Sequence, residues 1–216
     1  LAAMRAAAHN THEYQLQAAL ESEFMRLGAS RNAFSSIVAS GKNACILHYT
    51  ENRKALTKNA LVLVDAGAEV AGYAGDVTHT FPLSGRFTKA QKALYELVLK
   101  AQTQAIKAIK PGVSFHKPHK VAVKVITQGL LKLGLLQGEL KTLLKEEAYK
   151  AFFMHGTSHW LGMDVHDVGA TKINKKWRKF VPGMVLTVEP GLYISAEHSQ
   201  LDPKWHNIGI RIEDDV

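Results

Sequence analysis

The chain has 216 residues, 46% hydrophobic and 21% charged, the balance of an ordinary globular domain, and this excludes a disordered segment. Its single cysteine, Cys45, excludes an internal disulfide framework and fits a reducing compartment. No apolar run approaches the roughly 18 residues of a membrane span. Lys and Arg exceed Asp and Glu by 27 to 19, a formal charge of +8. The lysines are scattered, however, with no zinc-finger spacing or RNA-binding aromatic signature, so the surplus reads as a solvated surface.

Residues 1–8 read as the interior of a helix and residue 216 falls inside strand-like sequence, so the chain is expected to be trimmed at both ends. Asn10 and Glu13 have the spacing of a capping box that opens a helix over 11–27. Residues 34–49 are expected to form two short strands joined by a Ser/Gly/Asn turn, with His48 near the end of the second. ALVLVDAG (60–67) and VTHTFPL (77–83) read as a strand and its return around a small-residue turn. Thr88 and Gln91 form another capping box, opening a long amphipathic helix that Pro111 and Gly112 stop. Helices are expected over 118–133 and 138–149, after which strands and loops return.

This order repeats weakly at roughly 100 residues, longer than any solenoid period. It predicts an α+β fold, with helices covering one face of a mainly antiparallel sheet. Neither GxGxxG nor GxxxxGK[ST] occurs, which argues against a doubly wound nucleotide fold.

Four carboxylates sit where strands should be apolar: Asp65 after ALVLV, Asp76 before VTHTF, Glu189 after MVLTV and Glu213 after IGIRI. A buried carboxylate without a partner costs several kcal/mol or stays protonated. Four of them in equivalent halves of a repeat call for shared divalent cations. His155, His159 and His166 lie in HGTSHWLGMDVHD, where Gly156 and Gly162 argue against a helix, so the His155–His159 pair need not hold one ion. Four carboxylates and an imidazole make an oxygen-rich site with room for two metals, suited to manganese, cobalt or zinc. Two such ions support metal-assisted hydrolysis.

The segments IVASGKNACILHYTEN, LVLVDAGAEVAGYAGDVTHTFP, FFMHGTSHWLGMDVHDVG, PGMVLTVEPGLYI and GIRIEDD together resemble the catalytic domain of the Xaa-Pro aminopeptidases (aminopeptidase P). These belong to the pita-bread group, with prolidase, methionine aminopeptidase and creatinase. The resemblance implies two pseudo-symmetric halves in one catalytic domain over 1–216, without the family's separate N-terminal domain. It implies five metal ligands, Asp65, Asp76, His159, Glu189 and Glu213, with Asp76 and Glu213 shared by two divalent ions, manganese first and cobalt or zinc as alternatives.

By the same resemblance a hydroxide bridging the metals attacks the first peptide bond of substrates with proline second. Glu213 would move the proton, and His166 would contact the scissile carbonyl. His48 and His155 would line the substrate pocket, and Arg211 would orient the substrate or the ligands. A cytoplasmic location, a homo-oligomer of the full-length protein, and no nucleic-acid or membrane partner are also expected. Prolidase activity, confined to Xaa-Pro dipeptides, is the alternative, and a non-catalytic pita-bread binding module is the third reading. Two positions depart from the family pattern: His79, where arginine is expected, and Thr157, where leucine is common.

Overall fold

The structure is a computed structural model that describes residues 1–9 and 11–216. Helices α1 (Ala2–Ala6) and α2 (Glu13–Arg26) lead into strands β1 (Arg31–Asn32) and β2 (Ile37–Ser40). Strands β3 (Leu61–Ala66), β4 (Ala68–Val70), β5 (Tyr73–Ala74) and β6 (Val77–Pro82) follow. Next come helices α3 (Lys89–Lys107), α4 (Lys117–Lys132) and α5 (Leu140–Lys145). The last third holds short strands: β7 (Lys172–Ile173), β8 (Lys176–Trp177), β9 (Thr187–Val188), β10 (Gly191–Ile194), β11 (Ile208–Arg211) and β12 (Asp214–Asp215). The strand pairs β2–β3–β6, β1–β4–β5, β7–β8, β9–β12 and β10–β11 are all antiparallel. The expected α+β organisation is present.

Strand alternation decides what each face of the main sheet meets. Val62, Val64 and Ala66 of β3 pack with Val38 under α1 and α2, against Ala3, Leu16 and Phe24. Leu63 faces the other way, into a cluster with Ile37, Ala39, Tyr49 and Tyr193. Asp65, two residues on, falls on that second face. On β6 the same period buries Thr78 and Thr80 and leaves Val77 and His79 exposed.

Hydrogen bonds then join the two halves of the chain. The Glu213 N–H donates to Thr78 O at 3.0 Å, and the Thr80 hydroxyl donates to Arg211 O at 2.9 Å. The largest core lies on the other side of this seam. There Leu94, Leu97 and Ala101 of α3 and Ala122, Ile126 and Leu130 of α4 cover Val188, Leu192, Ile194 and Ile210.

Three local expectations are corrected. His12, with Gln15 three residues later, caps α2, and Asn10 lies outside the described residues. Glu13 turns inward instead, fully buried, because donors from residues 40–54 converge on it. No second strand forms after β2: Gly41, at φ +56°, turns the chain into a 3-10 helix over Gly41–Cys45, and His48 lies in the turn beyond it. The helix expected over 138–149 is shortened to α5, because Glu147 adopts left-handed backbone (φ 53°) before a separate 3-10 turn at Ala148–Ala151.

β11 lies so close to the Gly41–Cys45 turn that a Cβ on Gly209 would sit 2.0 Å from Ala44 O. Backbone cannot yield there as a side chain would, so Gly209→Ala should cost about 2–4 kcal/mol in urea unfolding. Gly72→Ala, at φ +81° in an open turn with nothing within 4 Å, should cost about 1 kcal/mol. Equal losses would show that the close approach does not matter.

Candidate metal centre

One cavity of about 400 Å³ is lined by all nine residues that the sequence singled out: His48, Asp65, Asp76, His155, His159, His166, Glu189, Arg211 and Glu213. Asp65, Asp76 and Glu213 are buried, whereas His48 and His166 stand exposed at the mouth. Ligating atoms of Asp76, His159 and Glu213 lie within 4.8 Å of one another. His159 Nε2 is 3.4 Å from Asp76 Oδ2 and 3.6 Å from Glu189 Oε1. Its Nδ1–H donates to Trp160 O at 3.0 Å, which leaves Nε2 turned toward the carboxylates. The His155–His159 pair is not helical, as the glycines indicated, and His155 Nδ1 approaches the other oxygen of Glu189 at 3.6 Å.

Arg211 is buried, and its Nη2 donates to Asp65 Oδ2 at 2.6 Å. Its Nη1 donates to the Tyr193 hydroxyl at 2.9 Å, and its Nε to Thr78 Oγ1 at 3.2 Å. The Thr78 hydroxyl in turn donates to Glu213 Oε2 at 2.6 Å. Tyr193 and Thr78 escaped the sequence reading. Thr78 could have been found, because it lies two residues from Asp76 and so on the same face of its strand. Tyr193 could not, since it reads as one more apolar strand position. Tyr193 donates to His155 Nε2 at 2.8 Å, and the other ring nitrogen of His155 donates to Gly156 O at 2.7 Å.

The two departures from the family pattern are resolved. His79 points to the exposed face of β6, away from Asp76, so it places no charge in the site. Thr157 is buried and shares a 2.8 Å hydrogen bond with His119 of α4, while its carbonyl accepts from the Glu189 N–H at 2.9 Å.

A family model for Metallopeptidase family M24 matches residues 1–216. The chain belongs to this family. It is 48% identical over 214 residues to an Xaa-Pro aminopeptidase of Haemophilus influenzae, covering 99% of this chain and 49% of that protein. It is 47% identical over 204 residues to an Xaa-Pro aminopeptidase of Escherichia coli, covering 94% of this chain and 46% of that one. The chain thus spans about half the length of the curated relatives it matches. Aminopeptidase PepP of Pseudomonas aeruginosa superposes with a TM-score of 0.97 at 51% identity, over 100% of this chain and 49% of its own. A variant of E. coli aminopeptidase P solved in complex with substrate gives a TM-score of 0.94 at 45% identity, over 99% of this chain and 49% of its own. The fold is the pita-bread fold of these enzymes.

The donor set of this M24 chain fits divalent metal. Asp65 Oδ1 is buried with no hydrogen-bond partner, while Oδ2 is held by Arg211. Burial raises the Asp76 carboxyl above its ordinary range despite the pull of His159, and Asp65 adds to the rise. Burial pushes Glu189 up to about 7 against His159 and Arg211. Burial, with Glu189, Asp65 and Asp76 nearby, holds Glu213 well above the carboxylate range. Burial disfavours a charged His159, yet Asp76, the Trp160 carbonyl and Glu189 raise it overall. Carboxyl groups raised by burial around an imidazole that is itself raised by their proximity mark a place built for positive charge.

Carboxylates with raised folded pKa values favour the fold below their unfolded pKa, and that contribution is lost as pH rises through the folded value. The metal-free chain should therefore be penalised at about pH 8 relative to about pH 5.5, and a bound cation should remove the penalty. Manganese should raise the melting temperature by about 3–6 °C more at the higher pH in a thermal-shift assay. Equal gains at both values would contradict this account of the carboxylates.

Proposed function

We propose that this chain is the catalytic domain of an Xaa-Pro aminopeptidase, which hydrolyses the first peptide bond of substrates with proline second. The observation that carries this reading is the convergence of Asp65, Asp76, His159, Glu189 and Glu213 on one cavity. The names of the relatives and the substrate complex of the E. coli relative support the substrate class. Those five residues would hold two divalent ions, with Asp76 and Glu213 shared. Bound there, the ions supply an activated water and polarise the scissile carbonyl. Manganese is the first candidate, and cobalt and zinc are the comparators.

The chain's own residues do the rest. Glu213, fixed by the Thr78 hydroxyl, takes the proton of the attacking water and returns it to the departing proline nitrogen. His166 stands edge-on to His159, with ring centroids 4.3 Å apart, and donates to the carbonyl oxygen as negative charge develops. Burial first and Arg211 second push His155 down to about 3, so it lines the pocket as a neutral imidazole. Arg211 orients Asp65 rather than substrate. Phe34, Ile37, Leu47 and Val165 give the cavity apolar walls for a proline ring, whose tertiary amide needs no N–H acceptor.

No helix among the described residues is long and apolar enough to cross a membrane. The cytoplasm is the proposed compartment, on the single cysteine, and a homo-oligomer is the proposed state of the longer protein.

Metal-stripped protein should release the first residue of an Xaa-Pro-Yaa peptide only after manganese is restored, as followed by mass spectrometry. Cleavage of the Xaa-Pro dipeptide alone would move the assignment to prolidase. No cleavage of either by this chain, which spans about half the length of its relatives, would send the same test to the longer protein, and silence there with metal bound would favour the binding-module reading. Glu213→Gln should lower kcat at least about 100-fold with an unchanged circular-dichroism spectrum, and retained turnover would refute its proton role.

A further inference from the structure

The acidic side chain buried most completely outside the cavity is that of Glu13, the first residue of α2, with 0% exposure. Among the described residues no basic side chain pairs with it. Instead Oε1 accepts from the Ser40 N–H and the Ser40 hydroxyl, both at 2.8 Å, and from Asn43 Nδ2 at 3.1 Å. Oε2 accepts from the Tyr49 hydroxyl at 2.8 Å and the Lys54 N–H at 2.9 Å. The Glu13 N–H donates back to Lys54 O at 3.0 Å. One carboxylate thus ties down four points of the chain between residues 40 and 54. That segment has no sheet partner beyond Ser40, and it carries His48 between two of the tied residues, Asn43 and Tyr49.

His48 differs from the cavity's carboxylates in how it is held. Asp65 and Asp76 stand in or beside a paired strand, whereas the His48 side chain is exposed and lies on an irregular turn. Its position at the mouth is inherited from the backbone on either side. We infer that Glu13 is a positioning residue that holds the His48 imidazole in place for substrate from outside the cavity. This rests on the peptidase reading above. A carboxylate suits the task because both oxygens accept, and every group facing it is a donor. Glutamine would turn an NH₂ toward N–H groups that cannot reverse, and the segment would loosen without loss of core volume.

The test is a double-mutant cycle of Glu13→Gln and His48→Ala in the manganese-loaded protein, with Xaa-Pro-Yaa as substrate. Glu13→Gln should raise KM about tenfold and leave kcat within about twofold, and it should add little in the His48→Ala background. A merely structural role would lower activity additively, and that outcome would overturn the inference. Hydrogen exchange gives a readout independent of activity. In Glu13→Gln, amides of residues 41–54 should lose protection about tenfold while those of β3 and α3 keep theirs. Unchanged protection in 41–54 would overturn the inference as well. Should this chain and the longer protein both prove inactive with metal bound, the peptidase reading fails on its own, and the exchange result still decides whether Glu13 holds the segment. Should Glu13→Gln fail to fold, Tyr49→Phe, which removes a single donor, is put through the same two measurements.

Discussion

The mutual repulsion of carboxylates brought to one buried cavity governs the rest of this molecule. Asp65, Asp76 and Glu213 are buried, and Glu189 lies beside them. In a low-dielectric surrounding burial holds the carboxyls of Asp76, Glu189 and Glu213 above their ordinary range. Arg211 satisfies one oxygen of Asp65, Thr78 one oxygen of Glu213, and His159 Nε2 lies between Asp76 and Glu189. What remains, including the unpartnered Asp65 Oδ1, is a set of buried carboxyl oxygens with room for further partners. A chain that tolerates this is one whose working form contains cations.

The fold exists to hold those groups against their repulsion. Apolar packing fixes each strand from the side opposite the cavity: α1 and α2 clamp one face of β3, and α3 and α4 clamp β10 and β11. The acidic side chains therefore do not have to hold their own backbone in place. The seam between β6 and β11 couples the two clamped units directly, through the Thr78 and Thr80 contacts. The same threonines serve stability and the site, because every second residue of β6 faces inward.

A second kind of support appears where no strand is available. The turn that bears His48 is held by the Glu13 carboxylate rather than by a ladder of backbone bonds. His155 and His159 likewise lie on irregular chain, and each is oriented by a carbonyl, from Gly156 and Trp160 respectively. The imidazoles are thus placed by individual hydrogen bonds and the carboxylates mostly by strands. That division suits groups that meet substrate on one side and fixed charges on the other.

Much of this was legible in the amino-acid order alone. Apolar runs broken by an acid marked all four carboxylates, because an uncompensated charge in a strand has few innocent explanations. Periodicity and capping residues located α3 and α4, since local backbone preferences decide helices of that length. The α+β class followed from the grouping of strands apart from helices. Other features depended on contacts between residues far apart in the chain. Glu13 has the spacing of a helix cap, yet donors 27 to 41 positions away turned it inward. The strand expected to bear His48 gave way to a 3-10 turn that starts at Gly41, and the contacts to Glu13 that hold this segment come from far along the chain. The parts played by Tyr193 and Thr157 were likewise settled only by tertiary packing, because a side chain's role there is set by what the rest of the fold brings within a few ångströms of it.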